Sequence, residues 1–150
     1  MPSQDPKHLT SSGFAQTHPA RILVVEDQPL NQKILGMLLQ RLGYAEIAFA
    51  NDGRQAVAMV PSGAYDLVFM DILMPVMDGI EAARAIRLSA EVTRQPVIVA
   101  VSGHVLPSIK EECRAAGMNG FLAKPLTLDD FRRAIPPCLE VGAAQRPMVI

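Results

Sequence analysis

Residues 68–79 read VFMDILMPVMDG. An apolar run meets a bare acid, Asp71; a proline follows at position 75, and a second acid, Asp78, sits beside Gly79. A run this apolar reads as a strand buried on both faces. A carboxylate at its end must serve something other than the core. The pattern recurs along the chain. ILVVED (22–27) is closed by Glu26 and Asp27, PVIVAVS (96–102) by Ser102, and the brief GFLAKP (120–125) reaches Lys124.

Helical segments separate these runs. PLNQKILGMLLQRLGY (29–44) has Leu30, Ile34, Leu38 and Leu42 at four-residue spacing, with Pro29 at its start and Gly43 past its end. AEIAFA (45–50) is a short second strand, and GRQAVAMV (53–60) a helix expected to stop at Pro61. GIEAARAIRLSA (79–90) offers Ile80, Ala83 and Ile86 as an inward stripe. LPSIKEECRAAG (106–117) has proline in its first turn and Gly117 as its stop, and TLDDFRRAIPPCL (127–139) opens on a Thr127 cap. That last helix is expected to be cut short at Pro136 and Pro137.

Five strand–helix units in strict alternation predict an α/β, flavodoxin-like, doubly wound parallel sheet with helices on both faces. The common order for five strands is 2-1-3-4-5, with ligands bound at the carboxyl ends where strands 1 and 3 lie side by side. Residues 1–20, rich in Ser, Thr, Pro and Gln, read as a flexible tail or linker carrying inert His8 and His18. The folded domain is expected over 21–139 and a frayed tail over 140–150.

Bulk properties agree with one globular domain: 150 residues, 49% hydrophobic and 19% charged, with a formal net charge of -1. No basic block suggests nucleic acid or an anionic membrane, and no apolar run is long enough to span a bilayer or serve as a secretory signal. Cys113 and Cys138 lack metal-ligand spacing and read as reduced thiols of a cytoplasmic protein.

On that topology Glu26, Asp27 and Asp71 converge in one crevice, flanked by the Ser102 hydroxyl and the Lys124 ammonium. Three clustered carboxylates raise one another's pKa unless a cation sits among them. Hard oxygens without His or Cys favour Mg²⁺, which also binds phosphate oxygens. A metal, a lysine, a hydroxyl and an ionised carboxylate suit an incoming phosphoryl group, with the carboxylate attacking in line.

The motifs VVED, VFMDILMPVMDG, VAVSG and FLAKP, each at a strand end, resemble those of response-regulator receiver domains of two-component signalling. EDQPLNQKILGMLLQRLGY, with Asn31, is similar to receivers attached to hybrid histidine kinases. The resemblance implies that Asp71 is the phosphoacceptor, taking a phosphoryl group from a histidine kinase or histidine phosphotransfer domain. By the same resemblance Glu26, Asp27, Asp71 and the Leu73 carbonyl hold Mg²⁺. Ser102 is the switch hydroxyl, Lys124 the phosphate partner and Phe121 the switch aromatic. Leu73 and His104 flank the phosphoryl group and tune its hydrolysis. The surface of the fourth helix, fifth strand and fifth helix is the one a partner reads, and a homodimer stays open.

Blander readings stand beside these. Asp27 ahead of Pro29 suits a turn or helix cap, Ser102 suits a loop cap, and an aromatic such as Phe121 on a short strand is ordinarily core. Asp78 with Gly79 reads as turn chemistry. A hydrolase triad of Ser102, His104 and an acid lacks a nucleophile elbow. A flavin-binding relative needs a phosphate cradle where this chain has EDQP. An aspartyl phosphatase places a second acid two residues after the first, where this chain has Leu73. An interaction module that signals without phosphorylation has no need of the intact polar set. Two departures from the family pattern are Gly103, where alanine is usual, and Gln28, where an acid or its amide is frequent.

Overall fold

In the computed structural model, which describes residues 13–145, five strands form one parallel sheet in the order β2-β1-β3-β4-β5. They are β1 (Ile22–Val25), β2 (Ile47–Ala50), β3 (Leu67–Asp71), β4 (Val97–Ser102) and β5 (Gly120–Ala123). Between and after them lie α1 (Pro29–Arg41), α2 (Gly53–Gly63), α3 (Gly79–Leu88), α4 (Pro107–Ala115) and α5 (Leu128–Gln145). This is the doubly wound, flavodoxin-like α/β fold expected from the alternation.

Strand parity sorts the core into two layers. Leu23, Val25, Val68, Met70, Ile98 and Ala100 face the layer that includes α2, α3 and α4, where Ala56, Val60, Ala82, Ile86 and Cys113 are buried. Ile22, Val24, Leu67, Phe69, Val99 and Val101 face α1 and α5, packing with Leu35, Leu39, Phe131 and Ile135. The three central strands are buried along their whole length, which is why they read as unbroken apolar runs.

The helix punctuation is partly as expected. Gly43 and Gly117 take positive φ, 102° and 96°, after α1 and α4. Thr127 Oγ1 accepts from the Asp130 amide at 3.2 Å. Asp78 caps α3 by accepting from the Glu81 amide at 2.8 Å, while Glu81 Oε1 accepts from the Asp78 amide at 3.3 Å, a reciprocal capping box.

Three expectations are corrected. Pro61 does not stop α2; the helix runs through it to Gly63, and the chain turns at Ala64 in the left-handed region (φ 52°). Nor do Pro136 and Pro137 cut α5, which runs for 18 residues through both. Phe131 and Ile135 before the pair are fully buried, and Cys138 and Leu139 after it pack on the same layer, so burial on both sides outweighs the lost hydrogen bonds. In α1 the buried face does not coincide with the four-residue spacing. Leu35, Leu39 and Leu42 are buried, whereas Leu30 and Ile34 are 68% and 45% exposed.

The third correction concerns the ends of the domain. Residues 13–17 form a helical turn whose Ala15 amide donates to the Leu42 carbonyl at 2.9 Å. Phe14 stacks on His18 with ring centroids 4.4 Å apart, and the Tyr44 hydroxyl donates to the His18 carbonyl at 2.6 Å. Residues 13–20 therefore belong to the packed domain, and α5 carries the other end to Gln145. The rest of the expected tails, 1–12 with His8 and 146–150, lies outside the described residues. Among the described residues no helix is long and apolar enough to cross a membrane.

Candidate functional site

Register brings the polar strand ends to one level. Val25 pairs with Met70 and Asp71 with Val101, so Glu26, one residue on, stands beside Asp71. Ser102 pairs with Ala123, placing Lys124 just above that level. Parity then divides the groups. Glu26, Asp71 and Lys124 continue the α1/α5 face, whereas Ser102 continues the α4 face along which Phe121 also lies.

Three side chains accordingly meet. Lys124 Nζ donates to Glu26 Oε2 at 2.9 Å and to Asp71 Oδ2 at 3.2 Å. Glu26 is wholly buried and Asp71 only 6% exposed, while Asp27 is half-buried. Glu26 Oε1 also accepts the Gln28 amide at 3.2 Å. Carboxylate oxygens of Glu26, Asp27 and Asp71 all lie within 4.8 Å of one another. This is an all-oxygen, net-negative pocket of the kind a hard divalent cation fits.

The electrostatics follow from that crowding. Burial first, and the Glu26 charge second, push the Asp71 carboxyl up from 3.8 to about 6, although Lys124 pulls the other way. Burial works to lower the Lys124 ammonium, but its hydrogen bond to Glu26 and the charge of Asp71 outweigh it and the pKa rises. At neutral pH both partners stay ionised, and three carboxylates face one ammonium.

Backbone close to Asp71 leaves no room for side chains. A Cβ on Gly79 would overlap the Asp71 carbonyl oxygen, so only glycine lets α3 start this near β3. The Gly79 amide donates to the Ile72 carbonyl at 2.9 Å, fixing the loop that carries Leu73. Leu73 is 59% exposed at the cleft mouth. Ser102 is buried, and its Oγ accepts the His104 amide at 3.0 Å, while the His104 ring is exposed. Phe121, half-buried on β5, pairs with Ala100 and has Lys110 Nζ 5.5 Å from its ring centroid. Nothing stands within 4 Å of where a Gly103 methyl would be, so the β4–α4 loop is open there.

One residue escapes the sequence reading. Gln32 of α1 sends its side-chain amide to the Glu26 carbonyl at 2.7 Å. No motif marks a glutamine on a helix as part of such a site; only its place one turn after Gln28 could have raised the question.

Comparisons with known proteins point the same way. The model of the family described as the response regulator receiver domain matches residues 22–136. Histidine kinase 5 of Arabidopsis thaliana is 32% identical over 145 residues, covering 80% of this chain and 16% of that protein. The chain thus spans a small part of that relative. The receiver domain of sensor histidine kinase PA1611 from Pseudomonas aeruginosa PAO1, solved with a magnesium ion in its active-site cleft, is 37% identical, with TM-score 0.71 over 79% of this chain and 96% of that one. The receiver domain of histidine kinase CKI1 from Arabidopsis thaliana, complexed with Mg²⁺ and BeF₃⁻, is 30% identical, with TM-score 0.74 over 87% and 96% of the two chains.

Proposed function

Since this chain belongs to the response regulator receiver domain family, we propose that it accepts a phosphoryl group on Asp71 from a phosphohistidine and passes the event on as a change of surface. The observation that carries the reading is Asp71 itself: buried at a strand end, 3.2 Å from Lys124 Nζ and clustered with Glu26 and Asp27.

The residues fit Mg²⁺, with Glu26, Asp27 and Asp71 as carboxylate ligands and the Leu73 carbonyl as a further one. When bound, the cation neutralises the acids and the phosphoryl oxygens together. Asp71, with its pKa near 6, is mostly carboxylate at pH 7 yet more basic than an exposed aspartate. Its oxygen attacks phosphorus, the phosphorus–nitrogen bond of the donor breaks, and the imidazole leaves with the electron pair. Lys124 exchanges its contact with Asp71 Oδ2 for a phosphoryl oxygen. The Ser102 hydroxyl donates to another phosphoryl oxygen and draws the β4–α4 loop toward the cleft. Phe121, on the same face as Ser102, follows inward, and the α4–β5–α5 surface changes for its reader.

The donor is a histidine kinase or histidine phosphotransfer domain. Exposed Leu30 and Ile34 on α1, with Leu73, Val76 and Leu106 at the cleft mouth, give it an apolar approach. The histidine-kinase relatives support a place within a hybrid kinase; a cytoplasmic location and no direct contact with nucleic acid complete the reading. The domain is not itself a kinase; it takes phosphoryl from small donors and releases it slowly. An apolar Leu73 cannot orient an attacking water, and a phosphoryl half-life of seconds contradicts that assignment.

Incubation with Mg²⁺ and acetyl phosphate, read by intact mass, tests the whole reading. One phosphoryl group is expected, absent in Asp71→Asn and absent with chelator. A mass gain that survives Asp71→Asn overturns it.

A further inference from the structure

The carboxylates of the cleft are carried by loop backbone, and one helix side chain holds that backbone in place. Gln32 Nε2 donates to the Glu26 carbonyl and to Asn51 Oδ1, each at 2.7 Å, with the Ala50 carbonyl 3.4 Å away. The Glu26 amide donates to that same Ala50 carbonyl at 3.1 Å. The Asn51 amide in turn donates to Gln55 Oε1 at 2.8 Å, joining the first turn of α2. The ends of β1 and β2 and the starts of α1 and α2 are thus gathered on one carboxamide.

We propose that Gln32 is a positioning residue for the divalent cation. It fixes the peptide group between Glu26 and Asp27, and with it the direction from which the Asp27 carboxylate enters the cleft. The other supports do not act there. Lys124 and the Gln28 amide hold the Glu26 side chain, leaving the next peptide to Gln32. Beyond the last paired residue of β1, a peptide without a partner turns about its flanking dihedrals, and a ligand carried on it costs entropy to bind. A donor that reaches the carbonyl from the helix removes that freedom before the cation arrives, as outer-shell groups do at metal sites. The inference rests on the reading that Glu26, Asp27 and Asp71 hold Mg²⁺.

Calorimetric titration of Mg²⁺ into metal-free protein, paired with thermal melts of the same samples, tests it. Gln32→Met keeps the length and loses the donor; Gln32→Asn keeps a donor a methylene too short. Both are expected to weaken the Mg²⁺ dissociation constant by about tenfold. Tyr44→Phe, which loses a hydrogen bond at the opposite end of the sheet, lowers the melting temperature and leaves the dissociation constant unchanged. If the Gln32 variants melt lower but bind Mg²⁺ as wild type does, Gln32 only staples α1 to β2 and the proposal is wrong. If wild type takes up no Mg²⁺, the metal reading fails and this inference falls with it; an unchanged Gln32 variant beside a binding wild type sinks the inference alone.

Discussion

At the amino-terminal edge of the sheet the Arg87 guanidinium meets four neutral acceptors, while at the carboxyl-terminal edge two buried carboxylates share one ammonium. Arg87 donates to the Gly117 and Pro96 carbonyls at 2.9 and 2.7 Å and to Gln95 Oε1 and Asn119 Oδ1, each at 2.8 Å. Burial lowers its pKa to about 10, so it stays charged at neutral pH. Its hydrogen bonds join α3, the approach to β4 and the α4–β5 turn. A charge with satisfied donors needs nothing further. The Glu26–Asp71–Lys124 cluster has the opposite character. It holds more negative than positive charge, and its repulsion is relieved only by a proton or a cation. One end of the sheet is finished by its own chain; the other is built to be completed from outside.

Breaking each centre in turn makes the contrast measurable. Lys124→Ala leaves Glu26 and Asp71 buried without their shared cation and is expected to cost about 4 kcal/mol at pH 7.5 without metal, read by urea denaturation. Saturating Mg²⁺ should recover part of that loss. Arg87→Met takes the donor from the Gly117 and Pro96 carbonyls and is expected to cost about 3 kcal/mol. Here Mg²⁺ restores no more than it adds to wild type, because the acids are intact. Equal recovery in both variants would erase the distinction between the two ends.

Asp71→Asn sharpens the comparison in the other direction. The folded-state pKa of Asp71 is raised, so the folded protein binds this proton more tightly than the unfolded chain. Its contribution favours folding below pH 4 and is lost as pH rises toward about 6. Above that window the ionised carboxylate is a standing cost, on the order of 2–3 kcal/mol. The amide removes it, so Asp71→Asn is expected to be more stable than wild type at pH 7.5 in chelator and to have a flatter stability profile between pH 4 and 6. A variant no more stable than wild type at pH 7.5 would show that Lys124 fully offsets the buried charge.

The two ends also differ in how openly the sequence declared them. Asp71 interrupts an apolar run, and parallel register carries Glu26 and Lys124 to the same height, so the cluster follows from alternation alone. Gln32 and Arg87 act from helices, where polar residues are expected on any solvent face, and their work is done by reaching backbone carbonyls that leave no mark in sequence. Prolines misled for a related reason. Their local cost is legible, but the burial of Phe131, Ile135 and Leu139 around Pro136 and Pro137 is a property of the packed layer. Phe14 and Ala15 likewise looked like linker because their partners, Tyr44 and Leu42, lie a whole helix away.

Gly103 gives the smallest expected effect. It follows Ser102, and its φ is not among the positive values that Gly43 and Gly117 take. A methyl there would meet nothing within 4 Å. Gly103→Ala therefore removes freedom from the unfolded chain without strain in the folded one and should stabilise by about 0.5 kcal/mol. The same restriction acts on the β4–α4 loop that, in the proposed mechanism, Ser102 draws toward a phosphoryl group. Phosphorylation by acetyl phosphate should be unchanged in extent, because Asp71, Glu26 and Asp27 are untouched. If the substitution instead blocks phosphorylation, the loop must adopt a backbone conformation there that only glycine reaches, and the carboxyl-terminal edge is then a moving part as well as an unbalanced one.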